Sequence, residues 1–381
     1  MADSIKKPEN LPEFIALLKN EKDIKPEHYR MYIDRFIDDK AREKGIPLNG
    51  KFELTPLCNL DCKMCYVHLQ KNQMQQELLP VSTWKKLAKE AFDMGMTSIE
   101  LTGGEALSYP GFDELYLYLH SLGIEISVFT NGILLDEKRV EFFVKHPPKH
   151  LQITLYGDCE DTYEAVTGHR QFERIIRNIE NARDHGIPII VTSTPSRYMV
   201  GKGENIVRKV HEMGLPLKIN FSLFEPRDNT DRHAAECEAP IEEYIRMNKL
   251  FAELSGRELS LVDESELPDI GEDSGKKEFG MRCGAGRSTF FIDWKGTMHP
   301  CISLYMLNAY PLRDGFEKAW KETNNTGNTF PLPVECIDCK YRSHCYPCVA
   351  LHMMGSEIGH ANPEICRHTK RMISEGIIRL D

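Results

Sequence analysis

Little in this 381-residue chain suits a membrane or a nucleic acid. No apolar run reaches the roughly 18 residues that a membrane-crossing helix needs. Residues 1–30 are charged and lack the apolar core of a secretory signal, so no export signal is expected. Dense runs of Lys and Arg are missing too, and the formal net charge is −10. Nonspecific nucleic-acid binding needs clustered cations, so the composition argues against that class. Cysteine is the exception, with twelve residues. In the cytoplasmic setting expected here, cysteines serve as metal ligands or free thiols rather than disulfides. Hydrophobic residues make up 41% of the chain, enough for one large core and a smaller unit beside it.

The cysteines fall into groups. Cys58, Cys62 and Cys65 share one loop, T-P-L-C-N-L-D-C-K-M-C-Y-V-H over 55–68. Three thiolates so close can converge on one metal centre. Four protein ligands would close a structural zinc site, whereas three leave a corner open. A structural or redox thiol cluster is the plain alternative. Downstream comes Gly103-Gly104-Glu105, where two glycines let the backbone approach a ligand and a carboxylate suits an ammonium group. After residue 280 come Cys283, Cys301, Cys336, Cys339, Cys345, Cys348 and Cys366, with Gly296 ahead of Cys301. Cys336, Cys339, Cys345 and Cys348 could close a four-thiolate zinc ribbon, or the set could ligate iron–sulfur clusters.

Hydrophobic periodicity predicts helix over 10–44. From residue 51 strand and helix alternate. Strands are expected at 51–55, 98–101, 124–130, 151–155, 187–193 and 217–223. Helices are expected from Ser82 as N-cap to Met94, over 112–121, from Asp136 as cap to Lys145, and over 171–185 and 204–213. Such a series implies a parallel sheet with helices outside it, with chemistry at the strand C-termini. Residues 241–254 read as a helix. The acidic, Gly- and Pro-containing stretch 263–277 reads as a linker or mobile loop.

The Cys-x3-Cys-x2-Cys loop with its Gly-Gly-Glu partner resembles the radical S-adenosylmethionine (SAM) superfamily. The C-terminal order resembles the seven-cysteine SPASM domain, with one departure: the last pair is spaced x2 where x3 is usual. The resemblance implies an α/β fold, a partial (β/α)6 TIM-like barrel with a C-terminal cysteine-rich SPASM domain. It divides the chain into a helical cap (1–50), the barrel (51–235), a bridging region (236–280), the SPASM domain (281–372) and a tail (373–381).

The resemblance also implies SAM and three four-iron clusters as cofactors. Cys58, Cys62 and Cys65 would hold the SAM-binding cluster, whose open iron chelates SAM and whose electron releases a 5′-deoxyadenosyl radical. Gly103, Gly104 and Glu105 would hold the SAM amino group. Asn131, in the Thr130-Asn131-Gly132 turn, and Thr154, matching a ribose-contacting serine, would complete the site. Thr154 reads equally well as an ordinary strand residue. Met64 replaces the usual aromatic near the adenine, and Tyr66 follows the third cysteine. Cys283, Cys301 and Cys348 would hold the first auxiliary cluster. Cys336, Cys339, Cys345 and Cys366 would hold the second. One iron of the first lacks a cysteine, since Thr289 stands where sulfatase-maturating relatives have one. Asp293, His299, Cys237, water or a substrate thiolate are open choices there. Cys159 is a candidate hydrogen donor or a bystander thiol. His68 is a lone histidine beside the loop.

These implications converge on an oxidoreductase that modifies a peptide by crosslink, thioether formation or epimerisation. Sulfatase maturation is disfavoured, because Ile302 stands where that group has an Asp base. A dehydrogenase or rearrangement enzyme for a small molecule is the alternative. A non-catalytic iron–sulfur or zinc protein is a third. A flavodoxin or ferredoxin would be the reductant. Peptide-modifying relatives often begin with a strand-containing winged helix that grips a leader, and the first 50 residues show no strand pattern. A leader would then be held by another surface or by a separate protein.

Overall fold

The computed structural model describes residues 8–20, 29–227, 234–261, 280–281, 283–337, 339, 341, 345, 348–353 and 356–378. Two helices come first, α1 (Leu11–Asn20) and α2 (Tyr29–Lys44). They are joined by a stacked pair, Phe14 on Phe36, with ring centroids 4.4 Å apart. Among the described residues no strand precedes Asn49.

The alternating region then builds one sheet. Its strands are β1 (Asn49–Glu53), β2 (Ser98–Thr102), β3 (Glu125–Thr130), β4 (His150–Thr154), β5 (Ile189–Ser193) and β6 (Leu217–Ile219). The intervening helices are α3 (Val81–Asp93), α4 (Phe112–Ser121), α5 (Glu137–Lys145), α6 (Glu160–Thr167), α7 (Phe172–Asp184) and α8 (Gly203–Glu212). Each strand pairs in parallel with the next, as helical crossovers require. The C-terminal cysteine region contributes to the same sheet. β7 (Thr289–Ile292) pairs in parallel with the free side of β1, and β8 (Met298–His299) folds back antiparallel on β7. The order is β6-β5-β4-β3-β2-β1-β7-β8. The fold is thus the expected α/β partial barrel, with two further strands.

Sequence boundaries shifted in several places: β1, expected at 51–55, runs Asn49–Glu53, β5 starts at Ile189 rather than 187, and α6 was not expected. α3 begins at Val81 with Pro80 as its N-cap, so Ser82 lies inside the first turn. β6 stops at Ile219 rather than 223. It is an edge strand whose last tie is the Asn220 N–H to the Ser193 carbonyl at 2.9 Å, and the chain then leaves the sheet. Asp136 caps α5 as expected, accepting the Arg139 N–H at 2.9 Å. The remaining helices are α9 (Ile241–Leu254), α10 (Pro311–Asp314), α11 (Phe316–Thr329), α12 (Val334–Ile337), α13 (Val349–Met353) and α14 (Pro363–Ser374). The 263–277 stretch lies outside the described residues. Among the described residues no helix is long and apolar enough to cross a membrane.

The two faces of the sheet differ. Phe52, Ile99, Leu101, Val128, Leu151 and Ile153 are buried in the main core, with Trp84 of α3 4.8 Å from Phe52. The other face is largely polar. Register places Lys51, Glu100, Ser127 and His150 in one row. Glu53 and Thr102 begin the next, which Phe129 and Gln152 continue. Thr154 faces Thr192 in a third. A closed barrel normally fills this space with apolar layers. A polar lining instead suits a ligand inside the sheet's curve.

Candidate active site

The three-cysteine loop leaves the C-terminal end of β1 and is held by its neighbours' backbone. The Asp61 N–H donates to the Thr167 carbonyl at 2.9 Å and the Lys63 N–H to the Val166 carbonyl at 3.0 Å, both at the end of α6. The Cys65 N–H turns back to the Cys62 carbonyl at 3.1 Å. The His68 N–H donates to Cys65 Sγ at 3.3 Å. Cys62 is buried, and Cys58 and Cys65 are half-buried. Burial pushes the Cys58 thiol up to about 12, with Glu105 and Cys65 adding to the rise. Bare thiolates would be costly here, so a metal centre is what would make this set ionise.

The Gly-Gly-Glu turn at the end of β2 is stitched to the same loop. The Gly104 N–H donates to the Thr55 carbonyl at 2.6 Å and the Glu105 N–H to the Leu57 carbonyl at 2.9 Å. The approach needs glycine, because a Cβ on Gly104 would lie 2.4 Å from the Leu57 oxygen and one on Gly103 2.6 Å from the Thr55 oxygen. Glu105 is fully buried. Its carboxylate accepts the Leu107 N–H at 3.0 Å, the Thr130 hydroxyl at 2.8 Å and the Asn131 N–H at 2.8 Å. It therefore ties the β2 and β3 turns together. Burial raises its pKa against the lowering effect of those donors. Asn131 extends the tie, its Nδ2 donating to Asn59 Oδ1 at 2.7 Å with Cys58 Sγ 3.6 Å away. Met64 is buried in the core, and Thr154 is half-buried at the end of β4.

The C-terminal thiols sort into two sets. Cys301 is pushed up to about 12 by burial and by Cys348 and Cys283. Cys336 is pushed up to about 12 by burial and by Cys345, Cys366 and Cys339. The split into three and four matches the grouping that the resemblance implies. Among the described residues no three His, Cys, Asp or Glu side chains converge as a single ion would require. A tetrahedral zinc needs its sulfurs on the order of 4 Å apart. A four-iron cube takes one thiolate at each corner and spreads them wider.

Several candidates are not brought together. Cys237 is buried among Tyr198, Lys63, Glu236 and Arg197 rather than beside Cys283, Cys301 and Cys348. Cys159 packs at the start of α6, its Sγ 3.5 Å from the Thr162 hydroxyl that also accepts its N–H at 3.2 Å. Asp293 turns its Oδ1 to the N–H groups of Lys295 and Thr297, and its Oδ2 lies 3.4 Å from His299 Nε2.

Sequence reasoning missed a buried group nearby. Glu53, the last residue of β1, pairs with Arg227, and both side chains are nearly inaccessible. The signal was present. In Lys51-Phe52-Glu53-Leu54, charge alternates with apolar residues, which places Lys51 and Glu53 on the polar face.

Residues 52–214 match the model of the Radical SAM superfamily. The match spans under half of the chain, and over those residues the chain is similar to this superfamily. The thiol loop and the glycine cradle fit the SAM and the iron–sulfur cluster that such a domain uses. Three relatives place it further. The antilisterial bacteriocin subtilosin biosynthesis protein AlbA of Bacillus subtilis (strain 168) is 27% identical over 176 residues, 46% of this chain and 39% of AlbA. The sporulation killing factor maturation protein SkfB of the same organism is 25% identical over 299 residues, 77% and 69% of the two chains. A probable GTP 3',8-cyclase of Aeropyrum pernix is 27% identical over 289 residues, 70% and 76%. The chain thus spans about two-fifths of AlbA's length and about two-thirds of SkfB's. In fold it is similar to Streptococcus suis SuiB bound to precursor peptide SuiA, with TM-score 0.67, 16% identity, and 96% and 84% coverage.

Proposed function

We propose that this radical SAM enzyme is a maturase of a ribosomally made peptide. The observation that carries the reading is the pair of cysteine sets built onto the barrel's own sheet, in a chain whose relatives include SkfB and AlbA. In this reading Cys58, Cys62 and Cys65 hold the SAM-binding cluster. Cys283, Cys301 and Cys348 hold one auxiliary cluster, and Cys336, Cys339, Cys345 and Cys366 hold another. Bound there, SAM and the first cluster supply a hydrogen-abstracting radical. The chain's residues do the rest. The Gly103–Glu105 turn brings backbone against the SAM amino acid moiety. Glu105 and Asn131 fix that turn to the loop, and Thr154, at the end of β4, would contact the ribose. Met64 and Tyr66 flank the third cysteine. The polar rows give a peptide amide or side chain partners inside the sheet. A crosslink, a thioether or an epimerised residue would be the outcome. A flavodoxin or ferredoxin would supply electrons, and a separate protein would hold the leader.

The test is anaerobic incubation with SAM, a reductant and short peptides encoded beside the gene. A peptide mass change together with 5′-deoxyadenosine supports the reading, and SAM cleavage with every peptide unchanged counts against it. A second reading, action on a small molecule, is favoured by the similarity to a GTP 3',8-cyclase and by the strandless N-terminal helices. Deoxyadenosine formation driven by a nucleotide but by no peptide would select it.

A further inference from the structure

The Glu53–Arg227 pair, as a buried ion pair, is weak evidence for stability. Replacing a buried ion pair by well-packed apolar residues is often neutral or stabilising. Its position is more informative. Glu53 is 1% exposed at the end of β1, and the Arg227 side chain is 8% exposed. The guanidinium lies 5.2 Å from the Tyr66 ring centroid and 5.3 Å from that of Phe291 on β7. The Arg227 N–H also donates to the Tyr66 carbonyl at 3.1 Å. Tyr66 directly follows Cys65. Three residues before Arg227, Phe224 packs in the small apolar cluster that includes Cys301 and Cys348. The segment therefore touches both the first loop and the first C-terminal set.

Burial pushes the Glu53 pKa up, and the adjoining Arg227 guanidinium pulls it down. A guanidinium keeps its proton in proteins, and a neutral Glu53 would leave it buried without its ion partner. Among the described residues Glu53 Oε1 has no hydrogen-bond partner, while Oε2 pairs with Arg227. Charges in such a setting are screened far less than surface charges.

We infer that Glu53 and Arg227 act as a pair that sets the reduction potential of the iron–sulfur cluster at the Cys58–Cys62–Cys65 loop. The inference rests on the reading that this loop holds that cluster. Reduction adds negative charge to a cluster. Arg227 therefore favours the reduced state and raises the potential, while Glu53 opposes it. Both are positioning residues, since neither touches SAM or substrate in this account.

The experiment is an anaerobic redox titration of the reconstituted holoenzyme, followed by electron paramagnetic resonance of the loop cluster and checked by iron content. Arg227→Met shifts the potential to more negative values. Glu53→Gln shifts it to more positive values, Arg227→Lys restores it, and the double variant lies between the singles. A merely structural role would move both singles the same way, by loosening the loop. Shifts of the same sign, or none, overturn the inference while leaving the loop reading intact. If Arg227→Met does not fold, Glu53→Gln decides alone: a potential that fails to rise refutes the inference. If Cys58→Ala/Cys62→Ala/Cys65→Ala keeps the full iron content and the loop signal, the loop reading falls and the inference with it.

Discussion

Glu105→Ala is the substitution that bears hardest on the site's architecture. The wild-type carboxylate accepts three hydrogen bonds at 2.8–3.0 Å from Leu107, Thr130 and Asn131, with no exposure to solvent. Hydrogen bonds to a charged group contribute about 1.5–3 kcal/mol each. The sum overstates the loss, because removing the carboxylate also removes the cost of burying it, which is what raises its pKa. Two orphaned backbone donors, one orphaned hydroxyl and a small cavity remain. A net loss of about 2–4 kcal/mol follows, since each orphaned buried donor costs about 1–3 kcal/mol and the relieved burial offsets part of the sum. Against a total stability of about 5–15 kcal/mol that is a large fraction. Glu105→Gln keeps one oxygen for Leu107 and Thr130 but turns an NH2 towards the Asn131 N–H. It should lose about 1–3 kcal/mol.

The assay is urea unfolding of the cluster-free protein under anaerobic conditions. The pH dependence adds a sign. Folding raises the Glu105 pKa. Its contribution is therefore fully present below the unfolded value of about 4.3 and is lost as pH rises through the folded value. The stability gap between wild type and Glu105→Gln should be wider near pH 4–5 than at pH 7. A Glu105→Ala protein within about 1 kcal/mol of wild type would refute the reasoning, since ordinary surface changes already span about half that. So would a gap that widens as pH rises.

Other consequences can be checked directly. Gly104→Ala puts a methyl group 2.4 Å from the Leu57 oxygen. It should displace the loop, lower stability by about 1–3 kcal/mol, and weaken SAM binding measured by calorimetry. Anaerobically reconstituted protein should carry about twelve irons per chain, and Cys58→Ala/Cys62→Ala/Cys65→Ala about eight. A chain truncated after residue 280 loses β7 and with it Phe290, which lies 6.4 Å from Phe52 and 5.1 Å from Phe316. It should show no cooperative unfolding transition by circular dichroism.

Much of the fold was legible because its signals are local. Helix caps such as Asp136, the repeated strand–helix pattern and the cysteine spacings are read within a few residues. The grouping of Cys283, Cys301 and Cys348 came from the resemblance, and the electrostatic neighbours of Cys301 agree with it. What escaped was non-local. Nothing near Thr289–Ile292 announces that this strand will lie beside β1, some 240 residues earlier. Arg227 stands in a polar loop-like run, and only folding reveals that it pairs with Glu53. The tripeptide alone also hides how Glu105 ties the β2 and β3 turns together. The Glu105 oxygens accept from three of the chain's own donors, on Leu107, Thr130 and Asn131.

The central position of β1 connects these features. It is flanked by β2, which ends in the glycine turn, and by β7, which leads through β8 to Cys301. The three-cysteine loop leaves β1 between them. Backbone bonds from Gly104 and Glu105 hold one side of that loop, and Arg227, lying between Tyr66 and Phe291, holds the other. A strand at the edge of the sheet could not be held from both sides in this way. The C-terminal cysteine region is therefore part of the scaffold that aims the first loop, and a change in that region should be felt at Cys65 through Phe291 and Arg227.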